Sequence, residues 1–351
     1  MQYTALEICA GGGGQAIGLH RADFQCAAAL ELDPHACETL RINQIAQRVI
    51  QVDLREFSAK PFQGVDLVAG GVPCPPFSKA GKQLGKDDAR DLFPEALRIV
   101  GETMPRAVML ENVPGFAEAR FQSYRNELQE KLARLGYSSE WRILQASDFG
   151  VPQLRPRFLL VAMKPADFAY FRWPLKIGPA PTVGDTLRDL IGSNGWLGAE
   201  NWADNANRIA PTVVGGSKLH GGPDLGPTRA KKQWKEIGVD GMGIANEAPS
   251  SDQPLDFIPK LTVRMVARIQ SFPDGWKFSG GKTAQYRQVG NAFPPKVAYA
   301  VASAIRRALD KIPEDVSTDD LSFEQRLCDA PGPNFVSSLR RPVSYRKLIK
   351  A

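Results

Sequence analysis

Residues 6–19 read Leu-Glu-Ile-Cys-Ala-Gly-Gly-Gly-Gly-Gln-Ala-Ile-Gly-Leu, and this stretch decides the fold. Its apolar start predicts a strand, its run of glycines a tight turn, and the residues that follow the start of a helix. Glycine suits such a turn because a backbone without side chains can approach a ligand closely. The stretch therefore predicts the first strand, turn and helix of a ligand-binding α/β domain.

The first half of the chain continues this alternation. The first strand candidate is 4–9, and the others are 27–30, 49–52, 67–69, 107–110 and 158–162. Helix candidates lie at 91–103 and 124–135. Helical patterns return at 262–270 and 295–310. Strands that alternate with helices are typical of a parallel sheet covered on both faces. We therefore predict an α/β fold with a doubly wound, mostly parallel, Rossmann-like sheet.

From about residue 174 to residue 256 the periodicity breaks down, and Gly, Pro, Asn and Trp become frequent. Such a stretch is either a loop-rich second module or a disordered insert. Four tryptophans in or beside it favour a folded module, because disordered segments hold few aromatic residues. They are Trp173, Trp196, Trp202 and Trp234.

Composition excludes several classes of protein. The five cysteines form no CxxC pair and the three histidines are scattered, so neither a disulfide framework nor a metal site is predicted. No run reaches the roughly 18 to 20 apolar residues of a membrane span, and the chain starts with a strand pattern instead of a signal peptide. We expect a cytoplasmic protein, and the net charge of +6 favours a polyanionic partner.

Acidic residues end the second and third strand candidates. Glu31 lies twenty residues after Gly11, where a carboxylate can accept both ribose hydroxyl protons, and Asp53 can accept from an adenine amino group. This pattern predicts an adenosine-containing cofactor. The residues alone leave open S-adenosylmethionine, a nicotinamide dinucleotide, and a turn that only packs a helix against the sheet.

A cysteine and a glutamate follow the next two strand candidates. Cys74 lies in Pro-Cys-Pro-Pro, where the prolines fix the loop, although a buried structural cysteine is the alternative. Glu111 begins Glu-Asn-Val-Pro at the same edge of the predicted sheet, and the alternative role for it is a helix cap or an outward ion pair.

Methylation of cytosine at carbon 5 needs a cysteine and a glutamate together. A thiolate adds to carbon 6 to make carbon 5 nucleophilic, and a protonated carboxyl at ring nitrogen 3 stabilises the developing charge.

In this order of motifs the chain resembles the bacterial cytosine-5 DNA methyltransferases, from residue 4 to about residue 305. The motifs that carry the resemblance are the turn at 10–14, Glu31, Asp53, Pro73-Cys74, Glu111-Asn-Val, Gln153-Leu-Arg-Pro-Arg157, the helix and Phe-Pro turn at 262–273, and Gln288-Val-Gly-Asn291. Two motifs depart from the usual pattern. Glu7-Ile8-Cys9 replaces Asp-Leu-Phe, so the aromatic ring that stacks on adenine is missing, and Pro-Cys-Pro replaces Pro-Cys-Gln.

The resemblance implies S-adenosylmethionine as cofactor, double-stranded DNA as substrate, no metal, and a monomer that acts on nucleoid DNA. The implied catalytic residues are Cys74, Glu111, Arg155 and Arg157, with Arg157 near Glu111 and the cytosine carbonyl oxygen. The implied cofactor-binding residues are Cys9, Ala10, Gly11, Gly13, Gly14, Glu31, Leu32, Asp53, Leu54, Pro73, Leu92 and Asn291. It also implies a catalytic domain of residues 1–179 and 279–312, an inserted target-recognition domain at 180–278, and a polar extension at 313–351.

An enzyme of this family swings its target base out of the DNA duplex. We predict DNA contacts by Ser78 beside the cysteine loop, and by Lys218, Arg229, Lys231 and Lys232 in the inserted module. That module is not basic overall, because residues 180–260 hold eight Lys or Arg and ten Asp or Glu. A solvated charged loop is therefore the alternative for these cations.

Three other functions share parts of this pattern. A transfer-RNA cytosine methyltransferase has the same fold and chemistry, but the Cys-Phe-Thr segment of its relatives is absent from this sequence. A nicotinamide dehydrogenase would leave Cys74 and Glu111 without a role. An inactive DNA-binding relative is expected to lose one of these two residues, and both are present.

Overall fold

A seven-stranded sheet forms the centre of the computed structural model, which describes residues 2–73, 91–215 and 223–312. The strands are β1 Tyr3–Ile8, β2 Phe24–Glu31, β3 Val49–Gln51, β4 Leu67–Gly71, β5 Ala107–Asn112, β6 Ser138–Gln145 and β7 Pro156–Met163. Their order is β3-β2-β1-β4-β5-β7-β6. Neighbours from β3 to β5 are parallel, and β7 is antiparallel to both β5 and β6. The predicted α/β class and mostly parallel sheet are confirmed.

Strand β6 has no counterpart among the predicted strands. It lies at the edge of the sheet, and most of its residues are only half-buried or exposed. Charged residues such as Glu140 and Arg142 therefore interrupt the apolar run that identifies a buried strand. The antiparallel pairing with β7 defines this strand, and such long-range pairing leaves no signal in the local sequence.

Helices cover both faces of the sheet. They are α1 Gly14–Arg21, α2 Pro34–Ile42, α3 Phe93–Thr103, α4 Gln122–Arg134, α5 Pro165–Phe168, α6 Val183–Ile191, α7 Ala199–Asn205, α8 Thr228–Lys235, α9 Val263–Ile269, α10 Lys282–Asn291 and α11 Pro295–Leu309. One apolar cluster joins α1 and α11 to the sheet, and a second joins α3 and α4 to its other face. None of the described helices combines the length and apolar character that a membrane crossing requires.

The strand order reverses direction between β1 and β4. From β1 the chain proceeds outward through β2 and β3, and it then returns to place β4 and β5 on the other side of β1. In doubly wound folds the crevice at such a switch point, outside the carboxyl ends of the strands, is where ligands bind. The loops after β1, β4 and β5 are therefore expected to form a site.

The predicted module at 180–278 is folded in its described part. It contains α6 to α9 joined by long loops, and Trp196, Trp202 and Trp234 are buried in its core. That apolar cluster also includes Ile17 of α1 and Leu40 of α2. The module thus shares one continuous core with the sheet domain, and the domain boundaries at 180 and 278 stay predictions.

Helices α1 and α11 pack closely together because residue 18 of α1 is a glycine and has no side chain. A Cβ atom at Gly18 would lie 2.4 Å from Cβ of Ala298 and 2.6 Å from the backbone nitrogen of Tyr299. At Gly101 in α3, the nearest atom to a new Cβ would be Leu135 Cδ2 at 3.7 Å, an ordinary contact. The two helices therefore differ in how much space they leave at a glycine.

We expect Gly18→Ala to lower the free energy of unfolding by about 1–3 kcal/mol, the usual effect of overpacking a core. Gly101→Ala serves as the matched control, and it should raise stability by up to about 1 kcal/mol because alanine favours helix. Urea denaturation of both variants measures the difference. Equal effects of the two substitutions would contradict the close α1–α11 packing.

Candidate active site

The glycine turn leads from β1 into α1 through left-handed backbone. Gly13 caps the helix with φ of 87°, and Gly11 has φ of 55°. A Cβ atom on Gly13 would also lie 2.6 Å from the ring of Trp276. The Trp276 indole donates a hydrogen bond to the carbonyl oxygen of Gly12 at 3.1 Å. Glycine at position 13 is thus required both by its conformation and by an indole ring from the far end of the chain.

Glu31 ends β2 and closes the turn from the other side. One of its carboxylate oxygens accepts a hydrogen bond from the backbone of Gly11 at 2.7 Å. The other accepts from the backbone of Leu32 and Asp33, each at 2.8 Å. The carboxylate is therefore fixed in position, while its remaining lone pairs are available to a ligand hydroxyl.

A cavity of about 510 Å³ opens at this edge of the sheet. Eleven of the twelve predicted cofactor-binding residues line it, namely Cys9, Ala10, Gly11, Gly14, Glu31, Leu32, Asp53, Leu54, Pro73, Leu92 and Asn291. Gly13 is the exception, because it caps α1 under Trp276 instead of facing the cavity. Glu111 lines the same cavity. The cavity also includes residues that were not predicted, among them Glu7, Gln15, Asp33, Arg55, Arg287, Gln288 and Phe293.

Acidic side chains dominate the described lining of this cavity. The acids are Glu7, Glu31, Asp33, Asp53 and Glu111, and the cations are Arg55 and Arg287. Both cations are held in ion pairs, Arg55 with Asp53 at 2.6 Å and Arg287 with Asp33 at 3.0 Å. Because both cations are paired with aspartates, Glu31 leaves the lining acidic, which favours a ligand that carries positive charge.

Glu7 is a buried acid that the sequence did not identify as a site residue. It is fully buried at the end of β1, and neither carboxylate oxygen has a hydrogen-bond partner of normal geometry among the described residues. Burial, and then the nearby charge of Glu31, raise the pKa of Glu7 to about 8, although Gln15 and the Ala16 backbone oppose the rise. Glu7 is therefore mostly protonated at neutral pH.

Asp53 shows the opposite shift. Its carboxylate accepts hydrogen bonds from the guanidinium of Arg55 at 2.9 and 2.6 Å and from the Arg55 backbone at 3.0 Å. These contacts lower the pKa of Asp53 to about 2. Asp53 remains ionised, and part of the acceptor capacity that was predicted for adenine is used by Arg55.

Glu111 stands at the other end of the cavity. It lies near the end of β5, where Arg157 of the adjacent β7 approaches its carboxylate with Nε at 2.7 Å. Burial raises the pKa of Glu111, and the positive charges of Arg157 and Arg155 offset only part of this rise. The next residue, Asn112, donates to the carbonyl of Val72 at 2.9 Å and so ties β5 to the segment that follows β4. The predicted approach of Arg157 to Glu111 is present.

Arg155, which was predicted to be catalytic, makes its hydrogen bonds with oxygen atoms of the protein itself. Its side chain is fully buried, and its guanidinium donates to the carbonyl oxygens of Val213, Gly290 at 2.8 Å and Ala292 at 3.0 Å. It also donates to Oε1 of Gln153 at 3.3 Å. These contacts therefore join the start of β7 to the inserted module and to the end of α10. We interpret Arg155 as a residue that positions the chain around the site.

The predicted DNA contacts divide into three groups. Arg229 and Lys232 are exposed on α8, as predicted for cations that meet a phosphate backbone. Lys231 instead forms an ion pair with Asp224 at 2.7 Å, so its charge is largely neutralised. Ser78 and Lys218, like the predicted nucleophile Cys74, lie outside the described residues. Within the described ranges, no cluster of three or more His, Cys, Asp or Glu residues is arranged to hold a metal ion.

Fold and site together define a class of enzyme. A cavity lies at the carboxyl edge of the doubly wound sheet. The glycine turn and Glu31 line one end of it, and the buried Glu111–Arg157 pair lies at the other end. This is the arrangement of a methyltransferase. The chain matches the C-5 cytosine-specific DNA methylases from residue 3 to residue 307, and it belongs to that family.

Two relatives that match most of this chain are named Type II methyltransferases. Type II methyltransferase M.NaeI of Lentzea aerocolonigenes is 56% identical over 309 residues, which cover 87% of this chain and 75% of the relative. Type II methyltransferase M.NgoMIV of Neisseria gonorrhoeae is 51% identical over 320 residues, covering 89% and 99% of the two chains.

Solved structures support the fold. A DNA modification methyltransferase encoded within an E. coli prophage aligns with a TM-score of 0.61 at 22% identity, covering 88% of this chain and 99% of the other. The Dnmt2 methyltransferase of S. pombe aligns with a TM-score of 0.59 at 19% identity, covering 88% and 100%. At these identities the likeness concerns the fold alone.

The pKa of Glu7 predicts a pH-dependent effect on stability. The folded protein keeps the Glu7 proton up to about pH 8, whereas the unfolded chain loses it above about pH 4.5. Glu7 therefore makes the free energy of unfolding fall as the pH rises between these values. We expect Glu7→Gln to match the wild type near pH 5 and to be more stable at pH 8, by a few kcal/mol at most.

Urea denaturation at the two pH values measures this difference. The exposed Glu130 on α4 provides the control, and Glu130→Gln should shift stability equally at both. A Glu7→Gln effect that is the same at pH 5 and pH 8 would contradict the raised pKa.

Proposed function

We propose that the protein transfers a methyl group from S-adenosylmethionine to carbon 5 of a flipped-out cytosine in a specific sequence of duplex DNA, through a covalent adduct of Cys74. One observation carries this proposal: Glu111, paired with Arg157, lines the same cavity as the glycine turn and Glu31. A donor bound at the turn and a base held by Glu111 would thus meet in one enclosed space. Pro73, the residue before Cys74 in the chain, also lines this cavity.

The charge of the cavity supports S-adenosylmethionine over a nicotinamide dinucleotide. The methyl donor carries positive charge at its sulfonium and ammonium groups, whereas a dinucleotide carries a negative diphosphate. Glu7 is mostly protonated, the two lining arginines are already paired with aspartates, and Glu31 has no cationic partner among the described residues. Glu31 therefore leaves this part of the lining negatively charged. An acidic lining attracts the first ligand and repels the second. When bound, the donor supplies an electrophilic methyl group.

Within the cavity, Glu31 would accept from the ribose hydroxyls, and Asp53 from the adenine amino group. Leu32 and Leu54 line the cavity beside them and offer apolar contact to the adenine ring in place of the missing aromatic residue at position 9. Asn291 lines the opposite side at the end of α10. We assign these roles from where each residue lies in the cavity, which is lined by Asp53 as well as by Glu111.

The Glu–Arg pair would act on the cytosine ring. A carboxyl whose pKa is raised by burial keeps its proton at higher pH, so Glu111 can donate that proton toward ring nitrogen 3. Arg157 holds the carboxyl in place and can donate to the carbonyl oxygen of the base. Together they stabilise the charge that develops when the thiolate of Cys74 adds to carbon 6. Carbon 5 then takes the methyl group, a base removes its proton, and elimination of the thiolate restores the ring.

Cys74→Ser should abolish turnover while the protein still binds donor and duplex. Glu111→Gln should slow methyl transfer by about 10² to 10⁴-fold, the usual contribution of a general acid. Glu118→Gln provides the matched control, because Glu118 follows the same strand and pairs with exposed Arg120. Transfer of labelled methyl groups to duplex DNA or to transfer RNA measures all three variants and distinguishes the two substrates.

A 5-fluorocytosine oligonucleotide tests the adduct directly, because fluorine cannot leave carbon 5 as a proton does. The wild type should yield a crosslinked peptide that contains Cys74, whereas Cys74→Ser should yield none. Methylation by Cys74→Ser, or a crosslink elsewhere, would overturn the proposed nucleophile.

We further propose that residues 180–278 recognise the target, with α8 at the phosphate backbone. Arg229, Lys232 and Lys235 recur every three residues along α8, and all three are exposed. Buried Trp234 anchors the helix in the core of the module. Cations fixed in a row on a rigid helix are suited to phosphate contacts, which position DNA without reading its sequence. The relatives named Type II methyltransferases favour a role as the modification enzyme of a restriction–modification system, or as an orphan methylase.

Lys232→Ala should weaken duplex binding on all sequences and reduce the slope of log K against log salt by about 1. Lys131→Ala on α4 is the control, since Lys131 is already paired with Glu127 at 3.2 Å on another face of the protein. Fluorescence anisotropy over a salt series measures both variants. An unchanged salt slope for Lys232→Ala would exclude α8 from the DNA interface.

A further inference from the structure

Gly215 of the inserted module packs directly against the end of α10. A Cβ atom at Gly215 would lie 2.3 Å from Oδ1 of Asn291, 2.6 Å from its Cγ and 2.8 Å from the carbonyl oxygen of Arg287. In the reverse direction, a Cβ atom on Gly290 would lie 2.4 Å from Cα of Gly215. Distances below 3.0 Å are not found for real Cβ atoms, so any side chain at position 215 must displace Asn291 or the backbone beside it.

The contact cannot relax easily, because buried hydrogen bonds fix both sides of it. Arg155 donates to the carbonyl of Val213, two residues before Gly215, and to the carbonyl of Gly290 at 2.8 Å. Gln153 accepts from the backbone of Val213 at 2.7 Å. Gln270 donates to the carbonyl of Val289 at 2.9 Å, which holds the end of α10 from a third direction. Movement of either segment would leave buried polar groups without partners.

Asn291 and Arg287 are the parts of this contact that line the cavity, whereas Gly215 does not line it. The Asn291 amide is the closer of the two to position 215, because its Oδ1 would lie 2.3 Å from an added Cβ atom and the Arg287 carbonyl oxygen 2.8 Å. Because glycine has no side chain, position 215 leaves the space that the Asn291 amide occupies. We infer that Gly215 is a positioning residue for the methyl donor: it holds Asn291 in the cavity, and so makes donor affinity depend on how the inserted module is seated. This inference rests on the proposed use of S-adenosylmethionine.

Gly215→Ala tests the inference. The dissociation constant and KM for S-adenosylmethionine should rise at least about tenfold, which corresponds to about 1.4 kcal/mol of lost binding energy. The rate at saturating donor should stay within about twofold of the wild type, and duplex affinity without donor should be unchanged, because the catalytic pair and α8 are not displaced. Gly243→Ala is the matched control, since the nearest atom to its Cβ would be in Lys260 at 3.8 Å.

A second substitution separates positioning from folding. If Gly215 acts through Asn291, Gly215→Ala should cost no donor affinity in an Asn291→Ala background, although it should in the parent protein. If the single variant does not fold, the same background gives the comparison, because it removes the closest contact of the new methyl group and leaves the 2.8 Å approach to the Arg287 carbonyl oxygen. Calorimetric titration with S-adenosylmethionine measures all four proteins.

The outcomes separate this inference from the proposed function. A wild-type protein that binds no S-adenosylmethionine would overturn the proposed function. A wild type that methylates DNA, together with a Gly215→Ala variant of unchanged donor affinity, would overturn the positioning role alone. A lower melting temperature with unchanged donor affinity would also overturn it, because that result describes a packing role only.

Discussion

The buried guanidinium of Arg155 is the contact on which the arrangement of the site depends. It joins three stretches that are far apart in sequence: β7, the module segment at Val213, and the end of α10 at Gly290 and Ala292. A buried cation is costly unless most of its donors are satisfied. Three carbonyls and one amide oxygen accept from the two terminal nitrogens of Arg155, while its Nε has no partner among the described residues. The site is therefore completed by an assembly of distant segments, and its geometry is fixed only where they meet.

The acidic residues of the cavity have different pKa values because their surroundings differ. Arg55 keeps Asp53 ionised, with a pKa of about 2, whereas burial raises the pKa of Glu7 to about 8 and also raises that of Glu111. Acids of similar intrinsic strength thus differ in charge at neutral pH, which is how one site can hold both a charged acceptor and a proton donor. The ionised Asp53 suits recognition of a cofactor. At the other end of the cavity, burial raises the pKa of Glu111 and so favours its protonated form.

Local patterns were enough to predict strands β1 to β5 and β7, the glycine turn, Glu31, Asp53 and Glu111. The family resemblance supplied the other predicted residues of the cavity, and about half of its lining was not predicted. Glu31 and Glu111 were predictable because each ends an apolar strand, and the edge of a parallel sheet brings such ends together. Edge strand β6 was missed because half of its environment is solvent.

Contacts between distant segments left no local signal. Trp276 covers the turn across 264 residues of sequence, and Arg155 meets carbonyls that any residue type could offer. The pairing of Lys231 with Asp224, which neutralises a cation predicted to contact DNA, likewise depends on how a loop returns beside α8. Charge patterns identify candidate cations, but only the folded loop decides which of them stay unpaired.

The hydrogen bond from Trp276 to Gly12 has a consequence for how the enzyme matures in the cell. Strands β1 to β5 are synthesised long before residue 276, so a nascent chain that ends before this residue lacks the indole that covers the turn. Asn291 and Phe293, which line the same cavity, are synthesised later still. Chains truncated by interrupted synthesis therefore lack part of the cavity, even when all the strands of the sheet are present.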